Sequence, residues 1–389
     1  MKKIKVGIVG TGFSASSQIE ALKRIPLVEI VGIAGSSFEK SKEAAIKYGI
    51  PKPFLNADEL IRDTEIEVVH NCTPNHMHFL INKKVLLHSK HLMSEKPLAM
   101  NSDESRELAE LARASNTVSG VCFNYRHYPL VLHCKEMIDR NELGNTHLVY
   151  GGYLQDWLLY NTDFNWRLEP VRNGKSRAIA DIGSHWCDTI QYVLGKKIIE
   201  VLADLKTLHS TRLKPIKETN TFTSSQSGEK ALVEIKTEDF GNVLVRFEGG
   251  TIGVFTVSQV SGGRKNKLFF EISGEKGSMA WDQEKANKLW IGNREEANKE
   301  LLRDPSLLHP IASSYTHYPG GHNEGWPDAL KNLFIDFYSV ISGGLSREQC
   351  NFASLEDGHR IMRVVDAILE SHEKKCWVTL TDETARIKN

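Results

Sequence analysis

Short apolar runs rich in β-branched residues alternate with amphipathic segments through the first 123 residues of the chain. The pattern predicts strands at 4–10, 28–34, 68–73, 91–95 and 118–123. It also predicts helices between them, such as SDESRELAELARAS, in which Ser102 is the expected N-cap and Leu108, Leu111 and Ala112 form the apolar face. Strands that alternate with helices in this way form βαβ units around a parallel sheet.

The pattern changes after residue 124. Helices are expected at 129–140 and 182–194, and the region 198–291 is rich in strands separated by the polar turns EDFGN, FEGGT and SGEKG. Near-alternation of apolar and polar residues there favours antiparallel hairpins. Helical patterns return at 326–344 and 354–375, before a short strand in CWVTL. The predicted fold is therefore α/β, with an N-terminal Rossmann dinucleotide-binding domain at 1–124 and a C-terminal α+β domain at 125–389 that contains a large, mostly antiparallel sheet.

Charge and cysteine content narrow the class of protein. The 389 residues include 49 basic and 49 acidic side chains, and this balance gives no reason to expect a nucleic acid or a membrane surface as a partner. The six cysteines lack any C-x-x-C spacing, and MKKIKVGIVG enters a strand pattern rather than a signal peptide, so we expect a cytoplasmic protein with reduced thiols. The expected partners are small molecules.

The first strand is followed by a glycine-rich turn. GIVGTGFSA places Gly10, Gly12 and Ala15 at the G-x-G-x-x-A spacing between a strand and a helix, where glycines permit close approach of a pyrophosphate to the helix N-terminus. A generic glycine-rich turn is the alternative. The predicted cofactor contacts here are Gly10, Thr11, Gly12, Phe13, Ser14 and Ala15.

The second strand bears on the choice of coenzyme. An acidic residue at its end would bind the ribose hydroxyls of NAD, but the strand runs into Gly35, Ser36 and Ser37, and the first carboxylate is Glu39. The serine hydroxyls can donate to a 2′-phosphate, so NADP is slightly favoured over NAD and dual use is compatible. In the alternative interpretation, the serines cap the next helix.

Polar residues also follow the later strands, where the carboxyl ends of a parallel sheet line the ligand crevice. NCTPNHMH and SEKPL stand at these ends, and in the second the lysine is predicted to point its ammonium towards the nicotinamide. The additional cofactor contacts predicted here are Thr73, Pro74, Asn75, His78, Glu95 and Lys96.

ADIGSHWCD, residues 180–188, combines two aspartates, a histidine and a cysteine. In a regular helix Asp181 and His185 share a face, and histidine has a pKa suited to taking a hydroxyl proton. A metal site and a purely structural helix start are the alternatives. Because Cys187 points away from that face and no partner cluster of zinc ligands is evident, we expect no metal and treat Cys187 and Asp188 as structural.

Aromatic and polar residues in the second domain suggest the kind of substrate. QDWLLYNTDFNWRLEP and YPGGHNEGWPD combine tryptophan faces with amide, guanidinium and imidazole groups, which suit a polyhydroxylated ring. Any one tryptophan is more often part of a core. The predicted substrate contacts are Lys96, Gln155, Trp166, Arg167, Asp181, His185 and His322, with a weaker case for Trp157.

GIVGTGFSA, TPNHMH, EKPL, NYR and DIGSHWCD occur in an order and spacing that resemble the glucose-fructose oxidoreductase, inositol dehydrogenase and rhizopine-catabolism oxidoreductases, the Gfo/Idh/MocA family. The resemblance implies that Lys96 lies beside the substrate hydroxyl and the nicotinamide, and that His185 accepts the substrate proton. It also implies cofactor or interdomain contacts for Tyr125 and Arg126. Two departures are Gln18, where many members have histidine, and Gly35, where NAD-preferring members have aspartate.

The predicted function is an NAD(P)-dependent oxidoreductase that interconverts a secondary alcohol and a ketone on a sugar, sugar derivative or cyclitol. Lys96, Asp181 and His185 are the predicted catalytic residues. The resemblance also implies that an open face of the second domain's sheet pairs between subunits as a homodimer or homotetramer. Two alternatives remain: a redox-neutral glycoside-processing enzyme with a tightly bound nicotinamide, and a non-catalytic dinucleotide and sugar sensor.

Overall fold

A computed structural model of the chain describes residues 2–216 and 229–380. The helices are α1 Phe13–Leu22, α2 Phe38–Tyr48, α3 Ala57–Arg62, α4 His78–Leu87, α5 Ser102–Ala114, α6 Pro129–Asp139, α7 Pro170–Asn173, α8 Ser184–Leu194, α9 Pro310–Ser314, α10 Trp326–Ile341 and α11 Leu355–Lys374. The strands are β1 Ile4–Val9, β2 Val28–Ala34, β3 Lys52–Phe54, β4 Val68–Asn71, β5 His91–Ser94, β6 Ser119–Val121, β7 Thr146–Leu154, β8 Ile198–Lys206, β9 Thr211–Pro215, β10 Lys230–Glu234, β11 Phe240–Phe247, β12 Ile252–Ser258, β13 Lys267–Gly274, β14 Ser278–Asp282, β15 Lys288–Gly292, β16 Lys299–Leu302 and β17 Val378–Thr379.

The chain divides into two compact units. The first unit comprises the residues up to His127, Val171–Gly174 and Trp326–Met362, and its sheet has the order β3-β2-β1-β4-β5-β6. All neighbouring strands in it are parallel, as the alternating pattern predicts. The strand order reverses between β1 and β4, and in open parallel sheets the crevice at such a reversal is where ligands bind.

Helix α10 belongs to this first unit although it lies some 200 residues beyond β6 in the chain. Its buried Leu333, Phe334 and Phe337 join the same apolar cluster as Ile8 of β1 and Ile19 of α1. The sequence predicted a division at residue 124 and one continuous second domain over 125–389. The compact units differ from this prediction because the chain returns to the first unit at Trp326–Met362. An apolar helix stripe must be buried, but the stripe alone does not specify which core buries it.

The start of α5 also corrects the prediction. Asn101, not Ser102, is the N-cap: it has an extended backbone (φ −158°), and its side-chain oxygen accepts a hydrogen bond of 2.9 Å from the Glu104 amide. Ser102 is therefore the first helical residue. Both side chains are good caps, and their order alone does not show where helical backbone angles begin.

The second unit comprises Tyr128–Pro170, Lys175–Gly325 and the described residues from Arg363 onwards. Its sheet has nine strands in the order β16-β15-β14-β13-β7-β12-β11-β8-β17. Only β7 and β12 pair in parallel, so the prediction of a large, mostly antiparallel sheet is confirmed. Strands β9 and β10 form a separate antiparallel pair.

Alternation along the strands gives this sheet two different faces. Val149, Val243 and Phe255 are fully buried on one face, whereas Tyr150 and Leu244 on the other face are 40% and 44% exposed. The opposite face of the sheet is therefore exposed and apolar in part. Within the described ranges, no helix has the length and apolar character that crossing a bilayer requires.

Candidate active site

The glycine turn after β1 has the backbone that its sequence demands. Gly10 adopts φ +113°, and a Cβ on it would lie 2.6 Å from the Cys72 carbonyl oxygen, so only glycine fits. Gly12 is the N-cap of α1, and a Cβ there would meet no protein atom within 4 Å. Ala15 is fully buried one turn further on. The first turn of α1 therefore leaves open space at its N-terminus, which fits the pyrophosphate of a dinucleotide. Thr11, Phe13 and Ser14 lie at least partly exposed around it.

The loop after β2 uses one predicted serine as a cap. The Ser37 hydroxyl accepts a hydrogen bond of 3.3 Å from the Lys40 amide and caps α2, as the alternative interpretation proposed. Ser41 accepts from the Gly35 amide at 2.8 Å and donates to the Ser37 carbonyl, which fixes the loop. Ser36 is exposed beside them.

The loops after β4 and β5 are tied together by a histidine. The ring nitrogens of buried His78 contact the carbonyl oxygens of Pro97 and Thr73 at 2.7 and 2.8 Å. Both ring nitrogens therefore contact backbone carbonyl oxygens, and the cofactor contact of His78 stays a prediction. Asn75 donates to Asn173 at 2.9 Å, and the Thr73 hydroxyl donates to Asn71 at 2.7 Å.

Glu95, next to the predicted catalytic lysine, lies at the end of a buried hydrogen-bond chain. Gln18 donates to Glu95 Oε1 at 2.6 Å, and the Lys96 amide faces Oε2 at 3.3 Å. Burial raises the pKa of Glu95, while the nearby Lys96 ammonium and these donors oppose that rise. The chain continues from Gln18 Oε1 to His70 Nδ1 at 2.6 Å and from His70 Nε2 to the Tyr338 hydroxyl at 2.7 Å.

The direction of this chain follows from its two ends. Because the Gln18 amide nitrogen faces a carboxylate, its oxygen must accept from His70, so His70 is protonated on Nδ1 and accepts from Tyr338. Burial lowers the pKa of His70 to about 3, which keeps the ring neutral. Gln18, where many family members have histidine, therefore belongs to a hydrogen-bond chain in which each group donates in the direction of Glu95.

Arg126 lies on a short 3-10 helix, Asn124–His127, directly after β6. It is 8% exposed, and its guanidinium lies 3.6 Å from Asp357 at the start of α11. Burial alone would raise the pKa of Asp357, but Arg126 and hydrogen bonds from Ser354 hold it below its ordinary value. Arg126 therefore has a charge partner within the first unit, in addition to its predicted cofactor role.

In the second unit, the DIGSHWCD segment is not one regular helix. Residues Ile179–Gly183 form one turn of π-helix, which continues directly into α8, so Asp181 lies in the π turn and His185 in the first turn of the α-helix. This corrects the prediction of a regular helix from 182. Such π turns are rare and occur frequently at functional sites.

The carboxylate of Asp181 lies between two donors. Its Oδ2 accepts from the Gln259 amide at 2.9 Å, and its Oδ1 is 3.6 Å from Arg167 Nε. The Arg167 guanidinium lies over the Trp166 ring at 4.5 Å. Three of the predicted substrate residues, Asp181, Arg167 and Trp166, are therefore neighbours, while Gln259 was not predicted.

A buried charge cluster underlies this group. Arg177, Arg212 and Asp239 are all fully buried, with both guanidinium groups on Asp239 Oδ1, the second at 2.7 Å. Burial alone would raise the pKa of Asp239, but the two arginines hold it below its ordinary value. The sequence showed Asp239 only as part of the polar turn EDFGN, and no local signal distinguished it from an exposed turn residue.

The adjacent Glu238 fixes the start of the π turn. Its Oε1 accepts hydrogen bonds from the Ser176 hydroxyl at 2.7 Å and from the amides of Arg177 and Ile179 at 2.8 and 2.9 Å. These are the amides that a helix start leaves without an intrahelical partner. Glu238 therefore holds the backbone that carries Asp181, a role the sequence pattern did not predict.

Aromatic and amide groups lie on the His185 side. The Tyr153 ring is 6.1 Å from the His185 ring, and its hydroxyl donates to Asn266 Oδ1. The predicted Gln155 donates to the same oxygen at 3.0 Å and accepts from Trp157 Nε1 at 2.9 Å. Tyr153 and Asn266 were missed, since a strand tyrosine and a turn asparagine carry no distinctive motif.

His322 lies in an exposed loop held by its backbone. The carbonyl oxygen of His322 accepts from Arg303, which is 3% exposed and also pairs with Glu324 at 3.1 Å. The Arg303 guanidinium further binds the Tyr318 and Pro319 carbonyl oxygens. These hydrogen bonds hold the backbone of the loop in place. The role of the His322 side chain stays a prediction.

The remaining polar residues of DIGSHWCD are in the interior. Asp188 and Cys187 are 1% exposed, and burial raises the pKa of the Cys187 thiol well above its ordinary value. Across the two described ranges, no group of three or more histidine, cysteine, aspartate or glutamate residues is placed to hold a metal ion.

Comparison with known families assigns both parts of the chain. Residues 4–123 match the NAD-binding Rossmann fold of the oxidoreductase family, and residues 131–280 match the GFO/IDH/MocA C-terminal domain. The chain therefore belongs to the Gfo/Idh/MocA family of NAD-binding oxidoreductases.

Among individual relatives, the levoglucosan dehydrogenase of Pseudarthrobacter phenanthrenivorans is 28% identical over 99% of this chain and 100% of its own. The glucose-6-phosphate 3-dehydrogenase of Bacillus subtilis is 24% identical over 94% of this chain and 95% of its own. A solved structure of levoglucosan dehydrogenase with NADH and levoglucosan covers 98% of this chain and 100% of that one, at 27% identity and a TM-score of 0.86.

Proposed function

We propose that this oxidoreductase interconverts a secondary alcohol and a ketone on a neutral, polyhydroxylated ring, such as an anhydrosugar, a sugar or a cyclitol. The observation that carries the proposal is the group of polar and aromatic side chains in the second unit. Tyr153, Gln155 and Asn266 are joined by hydrogen bonds on the side of His185, and Asp181 lies four residues before that histidine. Hydroxyl groups of a ring require this mixture of donors, acceptors and apolar faces.

Each of the proposed active-site residues has one role in this reaction. A bound nicotinamide coenzyme would supply the acceptor for the hydride of the carbinol carbon. His185 takes the hydroxyl proton, and Lys96 stabilises the negative charge that develops on the substrate oxygen. Asp181 orients the substrate or the imidazole, and the turn from Gly10 to Ala15 holds the pyrophosphate.

The charges near Asp181 favour a neutral substrate over a sugar phosphate. Arg167 faces Asp181, and Arg177 and Arg212 share Asp239. A phosphate in this region would have to compete with a carboxylate for each of these cations, at a cost in their existing interactions. Levoglucosan is therefore a better first substrate to test than glucose 6-phosphate, although relatives of both kinds match the chain.

NADP is proposed as a coenzyme alongside NAD. The loop after β2 places no carboxylate at Gly35 to repel a 2′-phosphate, and Ser36 is exposed with Lys40 nearby in the sequence. The hydroxyl of Ser37 already accepts a hydrogen bond as a helix cap, but it retains its proton for donation. These features support the predicted slight preference for NADP.

A homodimer or homotetramer through the exposed face of the nine-stranded sheet is also proposed. Tyr150, Val254 and Leu244 are cross-strand neighbours on β7, β12 and β11, next to the pair Leu148 and Ile252. Substituting lysine for Leu244 and Ile252, which are 44% and 54% exposed, is expected to give a monomer by light scattering. An unchanged molecular mass would contradict this surface.

The activity is tested by following the absorbance of reduced nicotinamide. Purified protein is screened with NAD⁺ and NADP⁺ against levoglucosan, monosaccharides, inositols and glucose 6-phosphate. Turnover of a neutral ring with coenzyme reduction supports the proposal, and exclusive use of the phosphate contradicts the neutral class. Stoichiometric nicotinamide that never exchanges during turnover would instead favour the redox-neutral alternative. Coenzyme and sugar binding without turnover would favour the sensor.

A further inference from the structure

A buried glutamine connects the proposed active-site carboxylate to the charge cluster beneath it. Gln259, at the end of β12, is fully buried, and its amide nitrogen donates to Asp181 Oδ2 at 2.9 Å. Its amide oxygen accepts from Arg177 Nη1 at 2.9 Å. The backbone of Gln259 is held as well, because its N–H donates to the Asp239 carbonyl oxygen at 3.0 Å and its carbonyl oxygen accepts from the Leu158 N–H at 3.1 Å.

The orientation of this side-chain amide follows from the chemistry of its neighbours. A guanidinium can only donate, so the group of Gln259 that faces Arg177 must be the oxygen. The nitrogen must then face Asp181, and it can only donate. Arg177 is itself fixed, since its Nε donates to Thr237 at 3.2 Å and its Nη2 to Asp239. The cluster therefore presents a donor of fixed direction to Asp181.

We propose that Gln259 is a positioning residue that holds Asp181 as an ionised, acceptor-only carboxylate for the proposed alcohol oxidation. A protonated Oδ2 would place a hydroxyl against an amide that cannot accept, whereas the ionised oxygen gains a charge-assisted bond. Arg167 faces Oδ1 and favours the same ionised form. The inference rests on the proposed function for its catalytic consequence, but not for the hydrogen bond itself.

The pKa of the Asp181 carboxyl depends on the charged groups near it. Arg167 faces Asp181 directly, Arg177 and Asp239 lie behind the Gln259 amide, and His185 follows four residues later on the same helical segment. A hydrogen bond to the charged form lowers a carboxyl pKa, so removing the Gln259 donor raises the pKa of Asp181. The carboxyl of Asp181 then takes up its proton at a higher pH than in the wild type.

The test compares Gln259→Met with Gln191→Met. Gln191 is a buried glutamine whose amide bonds only backbone groups, Cys187 and Ile198, so the control removes a similar side chain away from Asp181. We expect Gln259→Met to lower kcat more than KM changes, and to raise the pKa of the Asp181 carboxyl by about one pH unit, read by carbon-13 NMR of labelled aspartate with Asp181→Asn identifying the signal. The control should keep the wild-type titration of this carboxyl. An unmoved Asp181 titration in Gln259→Met overturns the inference.

A second measurement does not depend on activity. The Tm difference between wild type and Gln259→Met should shrink as pH falls, because protonation of Asp181 removes the charge that Gln259 stabilises. The same substitution made in an Asp181→Asn background should give a pH-independent difference. A pH-independent difference in both backgrounds overturns the inference, whether or not the enzyme turns over any sugar. Full activity of Asp181→Asn alone would instead contradict the proposed function while leaving the hydrogen bond established.

Discussion

The two units hold their proposed functional residues in different ways. In the first unit, the residues predicted to hold the cofactor follow strand ends in short contiguous runs, such as Gly10 to Ala15 and Glu95 with Lys96. In the second unit, Asp181 is held by residues from distant segments, including Arg167 and Gln259. The arrangement in the first unit is local, and a sequence motif is enough to predict it. The second depends on side chains that come together only in the folded chain.

The two regions are sensitive to different kinds of substitution. The turn at Gly10 is destabilised when the glycine gains a side chain. The buried charge cluster is destabilised when one of its charges is removed and the others are left unpaired. The cluster at Asp239 satisfies two fully buried arginines with one carboxylate, so loss of that carboxylate leaves both without their shared partner. Substitutions in the glycine turn and in the charge cluster are therefore expected to act in different ways.

The largest expected effect is on turnover and involves one residue from each unit. Lys96→Met and His185→Ala should each reduce kcat by about 10²- to 10⁴-fold, since each removes a group assigned to the proton or charge chemistry. NADH binding, measured by fluorescence, should persist in both variants. Near wild-type turnover in either variant would show that the assigned proton path is wrong.

Asp239→Asn tests the buried cluster through stability. Neutralising this carboxylate leaves two buried guanidinium groups and should lower the free energy of unfolding by about 3–5 kcal/mol, measured by chemical denaturation. Asp139→Asn is the control: its pair with Lys135 at 2.8 Å is on the surface of α6, and its loss should cost about 0–1 kcal/mol.

The pH dependence has a definite sign. Because the folded state lowers the pKa of Asp239, its stabilisation is present above the ordinary carboxyl pKa and is lost as pH falls through the lowered value. The stability gap between wild type and Asp239→Asn should therefore narrow in acid. A gap that stays constant down to strongly acidic pH would contradict the assigned charge.

Two glycines in the first unit should separate folding from binding. Gly10→Ala forces a side chain onto φ +113° and against the Cys72 carbonyl, and it should destabilise the unit by about 1–3 kcal/mol. Gly12→Ala meets no protein atom and should leave Tm near the wild-type value while weakening NADH binding. Equal effects of both variants on Tm would show that the turn is not built as described.

The smallest expected effect concerns coenzyme preference. Gly35→Asp should shift the NADP/NAD ratio of kcat/KM towards NAD by about tenfold, because a carboxylate repels the 2′-phosphate and binds the ribose hydroxyls. A Cβ at this position lies 3.1 Å from Lys40 and Thr11 side-chain atoms, so Gly35→Ala is the control for crowding. An unchanged ratio in Gly35→Asp would refute the assignment of this loop to the ribose.

Features set by neighbouring residues could be predicted from the sequence, and features set by distant residues could not. The parallel sheet and the turn at Gly10 were predicted because strand pattern and glycine spacing are properties of neighbouring residues. The helix predicted from 182 instead begins as a π turn at Ile179–Gly183 and continues as α8, and the amides at its start are bound by Glu238, which is far along the chain. Gln259 carries no motif and was missed for the same reason.

The residues and their spacing were enough to predict the alternating first region, the resemblance to the family, and Lys96, Asp181 and His185 as the residues to test. The folded chain was needed to show that α10 joins the core of the first unit and that Gln259 and Arg177 direct a donor at Asp181. The physical reason is range. Backbone preference and strand or helix periodicity act between near neighbours, whereas burial and charge pairing act between whichever residues the folded chain brings together.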